Sequence, residues 1–326
     1  MGNRPSRPTA IGLVFALVLA LLGGCRPTTA STSAPTATAL PSAASPSPSP
    51  TRSPSPRPTA SPAIPAFSNV WIVVLENQDY ERVVGADDLP YIAGLIDRYG
   101  LAEQSFGVAR PSQPNYFALF SGSTHGVTDN GRHDLDAPTI ADQIEASGRT
   151  WGEYAENRPP DCFSGRSAKD GRDGPGVYER KHAPAISFNR IRTDPDRCVR
   201  LQDLTAFQPG DVDYALIVPN QCHSAHDCSM RIADDWLAGF LPTILESPAF
   251  EAGGLLIVTF DEDAGNDPSG GHIATIVVSK DVPAGFRSTE RHDHYSVLHT
   301  IQDAWGLDCL AESCAAGTMD EFFTSS

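Results

Sequence analysis

Basic residues are in short supply: 24 Lys and Arg face 40 Asp and Glu in a chain of 326 residues, a formal net charge of −16. An acid excess on this scale argues against a reader of nucleic-acid backbone and suits a binder of cations. No C-x-x-C pair occurs, so the usual spacing of a thiolate metal site is missing. No internal repeat is visible, which sets aside solenoids and propellers. A long hydrophobic run is missing too. The most apolar stretch, IGLVFALVLALLGG at residues 11–24, is too short to span a bilayer comfortably.

That stretch reads instead as the apolar region of an export signal, with Arg4 and Arg7 supplying the positive segment before it. It ends in LLGGC, which resembles the lipobox of bacterial lipoproteins. The resemblance implies a signal peptide over residues 1–24 and lipidation of Cys25, hence an extracytoplasmic protein anchored to the bacterial membrane. Residues 1–24 hold two arginines and no acids, so their removal takes the charge from −16 to −18. Residues 25–66 are mostly Ser, Thr, Pro and Ala, in runs such as SPSPSPTRSPSPRPTASP. With almost nothing to bury, they read as a disordered tether. Residues 67–326 are long enough for one large α/β domain. Six cysteines remain beyond Cys25, and an even count in an exported chain indicates disulfides. Close spacing favours Cys222–Cys228 and Cys309–Cys314, leaving Cys162 with Cys198.

Short apolar runs alternate with helical patterns, the mark of a sheet covered by helices on both faces. The runs NVWIVVL (69–75), DYALIVP (213–219), GLLIVTF (254–260) and IATIVVS (273–279) are continuous, as strands buried on both faces should be. TWGEYAE (150–156) is a weaker strand. Helices are expected over 91–99, 113–121, 138–147, 230–245 and 294–304. Residues 157–200, rich in Gly, Arg, Asp and Pro, read as long loops pinned by Cys162 and Cys198.

Polar groups gather just past the strands. Glu76 and Asn77 follow the first run, Asn220, His223, His226 and Asp227 the second, and Asp261, Glu262 and Asp263 the third. In open α/β sheets ligands bind outside the carboxyl ends of strands, so three such clusters point to one site. Carboxylate and amide oxygens suit a hard divalent ion and imidazoles a transition metal; the mixture fits one or two divalent cations. His272, His292 and His294 come later, and His294 gains weight from its place where a loop enters a helix.

The motifs VVLENQDY, PSQPNYFALFSG, VPNQCHSAHDC, VTFDEDAG and DHYSVLHTIQDAWGL, in this order over residues 69–307, resemble the bacterial phosphoesterase family of acid phosphatases and phosphatidylcholine-type phospholipases C. That family belongs to the alkaline-phosphatase-like superfamily. The resemblance implies a three-layer α/β/α sandwich with a central, mostly parallel sheet and metal-assisted phosphoryl transfer to a Ser or Thr. By position, Glu76, Asn77, Ser112, Asp261 and Glu262 would bind a metal. His226, Asp227 and His294 would be second-metal ligands or groups that contact phosphate and move protons, and Asn130 a phosphate contact. Where many members read NDMHD this chain has HSAHD, with Ser224 in place of an acid, which weighs against a second metal position. His223 is expected to be a bystander.

Ser112 admits two readings. Ser is a preferred N-cap and Pro is favoured in a first helical turn, so ARPSQPNYFALFSG (109–122) signals a capped helix closed by Gly122. A serine there also lies beside backbone N–H groups and the positive end of the helix dipole, which suits an incoming phosphate. With the resemblance, the nucleophile reading prevails. The expectation is a phosphomonoesterase with a phosphate-ester substrate and no protein partner. The alternatives are a phospholipase C-type phosphodiesterase, or a surface binding protein that keeps the fold without the chemistry. No long exposed apolar stretch for entering a bilayer favours the phospholipase, and intact Glu76, Ser112, Asp261 and Glu262 speak against a decayed site.

Overall fold

The computed structural model describes residues 64–168 and 177–323, all within the unit Pro58–Ser326. The expected signal peptide, Cys25 and the tether up to residue 63 lie outside the described residues. An eight-stranded sheet organises the rest, built from β1 Val70–Leu75, β2 Gly100–Phe106, β3 Trp151–Ala155, β6 Leu201–Asp203, β7 Tyr214–Val218, β8 Leu255–Phe260, β9 His272–Val278 and β10 Phe286–Asp293. Its order is β10-β2-β9-β8-β1-β7-β3-β6, and β4 Ser167–Ala168 pairs with β5 Tyr178–Glu179 in a separate ribbon. Within the eight-stranded sheet only β9 runs antiparallel to its neighbours. The sheet is therefore mostly parallel, as the buried runs led one to expect.

Alternation along β1 shows why three layers form. Val70, Ile72 and Val74 point into one core with Tyr116, Phe117, Phe120 and Leu298. Trp71, Val73 and Leu75 point into the other with Ile92, Leu95, Leu237 and Ile244. Successive strand residues face opposite sides, so a strand apolar at every position must be covered twice. Helices Ser112–Ser121 and His294–Ala304 cover the first face; Pro90–Arg98 and Met230–Phe240 cover the second.

Helix boundaries follow local chemistry. Thr139 and Asp142 form a reciprocal capping box ahead of Ile140–Ala146, and Asp293 caps His294–Ala304. Gly122 ends Ser112–Ser121 in the left-handed conformation (φ 73°), where a Cβ would collide with the Leu310 carbonyl oxygen. The helix expected over 230–245 is two: Met230–Phe240 and Pro242–Leu245. Pro242 has no N–H with which to continue the ladder. Among the described residues of 157–200 the chain forms short helical turns rather than plain loops alone, including Arg180–His182 and Pro184–Ser187. All three expected disulfides form, Cys162–Cys198, Cys222–Cys228 and Cys309–Cys314, so no thiolate among these six is left for a metal. No helix among the described residues is long and apolar enough to cross a membrane.

One buried acid lies away from the sheet's polar edge. Glu153 on β3 is fully buried, its Oε2 accepting from Ala185 N at 2.9 Å. Burial, offset only in part by Arg158, raises its pKa from 4.5 to about 7. A raised folded pKa means that this group's contribution is fully present below pH 4.5 and is lost as pH rises through 7. Glu153→Gln should flatten that dependence and, at pH 8, stabilise the protein by up to about 3 kcal/mol relative to wild type. Urea unfolding of both proteins at pH 5 and pH 8 checks it; an equal shift at the two pH values would contradict the assignment.

Candidate active site

Parallel pairing of β1 with β8 builds the floor. Leu75 is in register with Phe260, so the next residues, Glu76 and Asp261, leave the sheet side by side. Glu76 N donates to the Ser224 carbonyl (2.9 Å) in the loop after β7, and Asp261 N to the Leu75 carbonyl (3.0 Å). Asn77 turns with φ 49°, a left-handed value that Asn tolerates better than most residues. Its N–H donates to Asp261 Oδ1 (2.9 Å) and its Nδ2 to Glu76 Oε2 (3.2 Å). Glu76, Asp261 and Glu262 are all at most 3% exposed.

Ser112 hangs over these carboxylates. Its Oγ is 3.3 Å from Glu76 Oε2 and 3.4 Å from Glu262 Oε1. The cap reading fails: Pro111 is the N-cap, Ser112 is already the first helical residue, and no side chain caps this helix from the cap position. Asn130 satisfies an orphan amide from a distance, its Oδ1 accepting from Gln113 N at 3.0 Å. Pro114 has no N–H, so the first turn offers fewer free amides to an anion than the sequence suggested. Arg110, just ahead of the helix, pairs with Glu262 (3.3 Å) and Asp263 and donates to the Asp263 and Asp267 carbonyls. It ties the start of the helix to the loop after β8.

Three buried carboxylates in one space repel one another. Burial pushes the Asp261 carboxyl well up, and the Glu76 charge adds to the effect. Glu262 is raised by burial and by Asp261, against the pull of Arg110. Glu76 is also raised by burial, with Lys181 and the Tyr116 hydroxyl opposing. Tyr116 OH donates to Glu76 Oε1 in a short hydrogen bond. Among the described residues Asp261 Oδ2 has no hydrogen-bond partner. Without a cation such a cluster must retain protons; with one it is an oxygen-rich cradle, so the residues present fit a divalent ion.

Imidazoles close the opposite side of Glu76. Ligand atoms of Glu76, His182 and His226 lie within 4.8 Å of one another, a set able to hold a metal ion. His182 Nε2 is 3.1 Å from Glu76 Oε2. Burial, with Lys181 and His226, lowers the His182 pKa far enough to keep it neutral. His226 Nδ1 is 2.7 Å from Asp227 Oδ1, which leaves Nε2 facing Lys181 Nζ at 3.1 Å. His294 is buried with Nε2 donating to the Asp261 carbonyl at 2.7 Å, so it steadies the strand end. The structure thus brings together Glu76, Asn77, Ser112, Asp261, Glu262, His226, Asp227 and His294, with Asn130 one hydrogen bond away. His223 faces Glu156, His272 stacks on Tyr80 and His292 faces Glu321, outside the cluster. Lys181 and His182 escaped the sequence reading because they follow no apolar strand, and Tyr116 because it sits among the apolar residues of NYFALF. The turn Arg180–His182, a basic triplet closed by Ala-Pro, was the available signal.

Residues 85–308 match the profile of the Phosphoesterase family. The chain is 31% identical over 250 residues to the phosphatidylinositol-3-phosphatase of Mycobacterium tuberculosis, covering 76% of this chain and 80% of that protein. It is 30% identical over 272 residues to the phosphate-repressible acid phosphatase of Penicillium chrysogenum, covering 79% of this chain and 63% of the relative. The chain spans about three fifths of the length of the fungal acid phosphatases it matches. Among solved structures, the phosphonate monoester hydrolase SpPMH from Silicibacter pomeroyi shares the fold, with a TM-score of 0.55 at 11% identity over 79% of this chain and 77% of that one.

The repulsion sets a test in stability alone. Asp261→Asn removes a buried carboxyl that without a cation must either take up a proton or stay charged beside Glu76 and Glu262, so it should raise the melting temperature of chelator-treated protein at pH 8. It should also abolish most of the rise that added divalent ion gives wild type, since an oxygen ligand's charge is gone. Calorimetry of both proteins with chelator and with each metal in turn decides it. A wild-type-sized metal shift in Asp261→Asn would contradict the cradle.

Proposed function

Because the chain belongs to the Phosphoesterase family, we propose that it hydrolyses phosphate monoesters in the manner of an acid phosphatase, with Ser112 as nucleophile. The observation that carries this reading is Ser112 Oγ: buried, relieved of any capping duty, and facing two carboxylates at 3.3 and 3.4 Å. Glu76, Asn77, Asp261 and Glu262 would hold a divalent cation together with Ser112. Such a cation would supply positive charge that lowers the hydroxyl pKa and offsets charge on the phosphoryl oxygens.

This chain's own groups do the rest. Ser112 Oγ attacks phosphorus, and its proton passes to one of the two carboxylates it faces. The bond from phosphorus to the leaving oxygen breaks as His226, oriented through Nδ1 by Asp227, donates a proton from Nε2. The phosphoseryl ester is then hydrolysed by a water whose proton returns to His226. Ser112 regains its proton from the carboxylate and inorganic phosphate leaves. His294 holds the Asp261 main chain, and Arg110 holds Glu262 against the helix start.

Ser112→Ala should lower kcat by at least about a thousandfold, roughly 4 kcal/mol in the barrier, while the melting temperature stays near wild type because no cap hydrogen bond is lost. Ser112→Thr should keep more activity than the alanine variant, since it retains the hydroxyl. A folded, metal-loaded Ser112→Ala enzyme within about tenfold of wild-type kcat would sink the nucleophile assignment.

The same reading carries an anchor. LLGGC resembles a lipobox, so Cys25→Ser should move the protein from the membrane fraction to the soluble one with specific activity kept. Each buried CH₂ of a lipid chain contributes about 0.8 kcal/mol, so the loss should be plain on fractionation. Unchanged fractionation would remove the lipid-anchor proposal.

A further inference from the structure

Beside the nucleophile opens a cleft of about 460 Å³, lined among others by Asn130, Arg132, Arg166, Glu179, Arg180 and Lys181. It adjoins the site on two sides. Asn130 reaches Gln113, the residue after Ser112, and Lys181 Nζ lies 3.1 Å from His226 Nε2. In a chain of net charge −16, four cationic side chains on one cleft are out of keeping with the whole surface.

Their local partners account for them only in part: Glu179, on the same cleft, attracts Lys181 and Arg166. Asp134 is the carboxylate nearest to three guanidiniums: Arg192 at 3.2 Å, Arg132 at 3.6 Å and Arg180 at 3.8 Å. Asp129 is already engaged by His133 and by Gly131 N. Arg180 is 3% exposed, and Nη2 donates to the His133 carbonyl at 2.9 Å. Among the described residues its Nε and Nη1 have no hydrogen-bond partner. A buried guanidinium with two unmet donors is costly unless an acceptor comes to it, and the planar fork matches phosphate oxygens.

We propose that this cleft is a second anion subsite of the same active site, and that its preferred substrates are phosphate monoesters whose leaving group carries a further phosphate. The proposal rests on the phosphomonoesterase reading for the first phosphate. With the scissile phosphate at Ser112, the leaving group extends past Asn130 and Lys181, and its second phosphate meets Arg180 at the back and Arg132 and Arg166 at the exposed rim. Lys181 serves both phosphates. A neutral leaving group leaves the Arg180 donors unmet and gives Arg132 and Arg166 nothing to bind, so the preference comes from the three guanidiniums together.

The test measures binding apart from turnover. Full-length Ser112→Ala protein, metal-loaded, is titrated calorimetrically with α,ω-alkanediol bisphosphates of increasing length and with the matching alkyl monophosphates. At the best length the bisphosphate should bind at least about tenfold tighter than its monophosphate. Adding Arg132→Gln and Arg166→Gln, both at the exposed rim, should cut that preference to within about threefold, and Arg180→Lys should keep part of it. Equal affinities at every length, or a preference that survives the rim substitutions, would overturn the subsite. A second arm compares soluble inositol 1,3-bisphosphate with phosphatidylinositol 3-phosphate in phosphatidylcholine vesicles. A preference seen with the soluble headgroup identifies free substrates. One seen only on vesicles, and still lost in the arginine variants, identifies membrane-borne ones. If wild-type enzyme hydrolyses none of these esters while the binding preference holds, the phosphomonoesterase reading fails and the subsite stands; hydrolysis without any preference has the opposite meaning.

Discussion

Two adjacent parallel strands that both end in acid set the terms for this molecule. β1 and β8 run in register to Leu75 and Phe260, and the chain then delivers Glu76, Asp261 and Glu262 into one dry space. Nothing in backbone geometry can separate them, because register fixes where each strand stops. Their mutual repulsion has to be met by neighbours. Asn77 N, the Tyr116 hydroxyl and Arg110 do so in part, and each also ties the acids to something that matters for chemistry. Tyr116 belongs to the helix that begins at Ser112, and Arg110 lies two residues ahead of it. The groups that relieve the acids are thus the groups that fix the hydroxyl above them.

The disulfides serve the other wall. Cys222–Cys228 brackets His226 and Asp227 in a tight loop, and Cys162–Cys198 closes the segment that carries Lys181 and His182. These residues come from a tight loop and a single short helical turn, where few hydrogen bonds within regular elements restrict motion. A covalent closure narrows the unfolded and locally opened states at small cost to the native one. Carboxylates held by strands and imidazoles held by cross-linked loops then meet at Glu76, which touches Ser112, Tyr116 and His182.

Strands buried on both faces announce themselves, so β1, β7, β8 and β9 were legible as continuous apolar runs, and with them the layered fold and the acids at strand ends. β2 and β10 were not. GLAEQSF and FRSTERHD mix polar and apolar residues, and β10 is an edge strand whose outer positions meet water. Ser112 was legible as a helix start, and the family resemblance rather than the local pattern marked it as a candidate nucleophile. The difference of one residue in where the helix begins decides whether its hydroxyl caps or is free, and only Asn130, distant in sequence, supplies the alternative partner for Gln113. His182 and Lys181 were hidden because proximity to Glu76 is made by tertiary packing of a segment with no periodicity to read. Arg180 was hidden for the same reason: its unmet donors are a property of burial, which composition does not reveal.

The central claim is that Ser112 forms a covalent bond to phosphorus above the buried acids. Its most direct measurement is an acid quench during steady turnover of a phosphate monoester, followed by peptide mapping of the enzyme by mass spectrometry. The account predicts phosphate on the peptide containing Ser112, localised to that serine and absent from enzyme quenched without ester. Phosphate found on a different side chain of an enzyme in full turnover would contradict it.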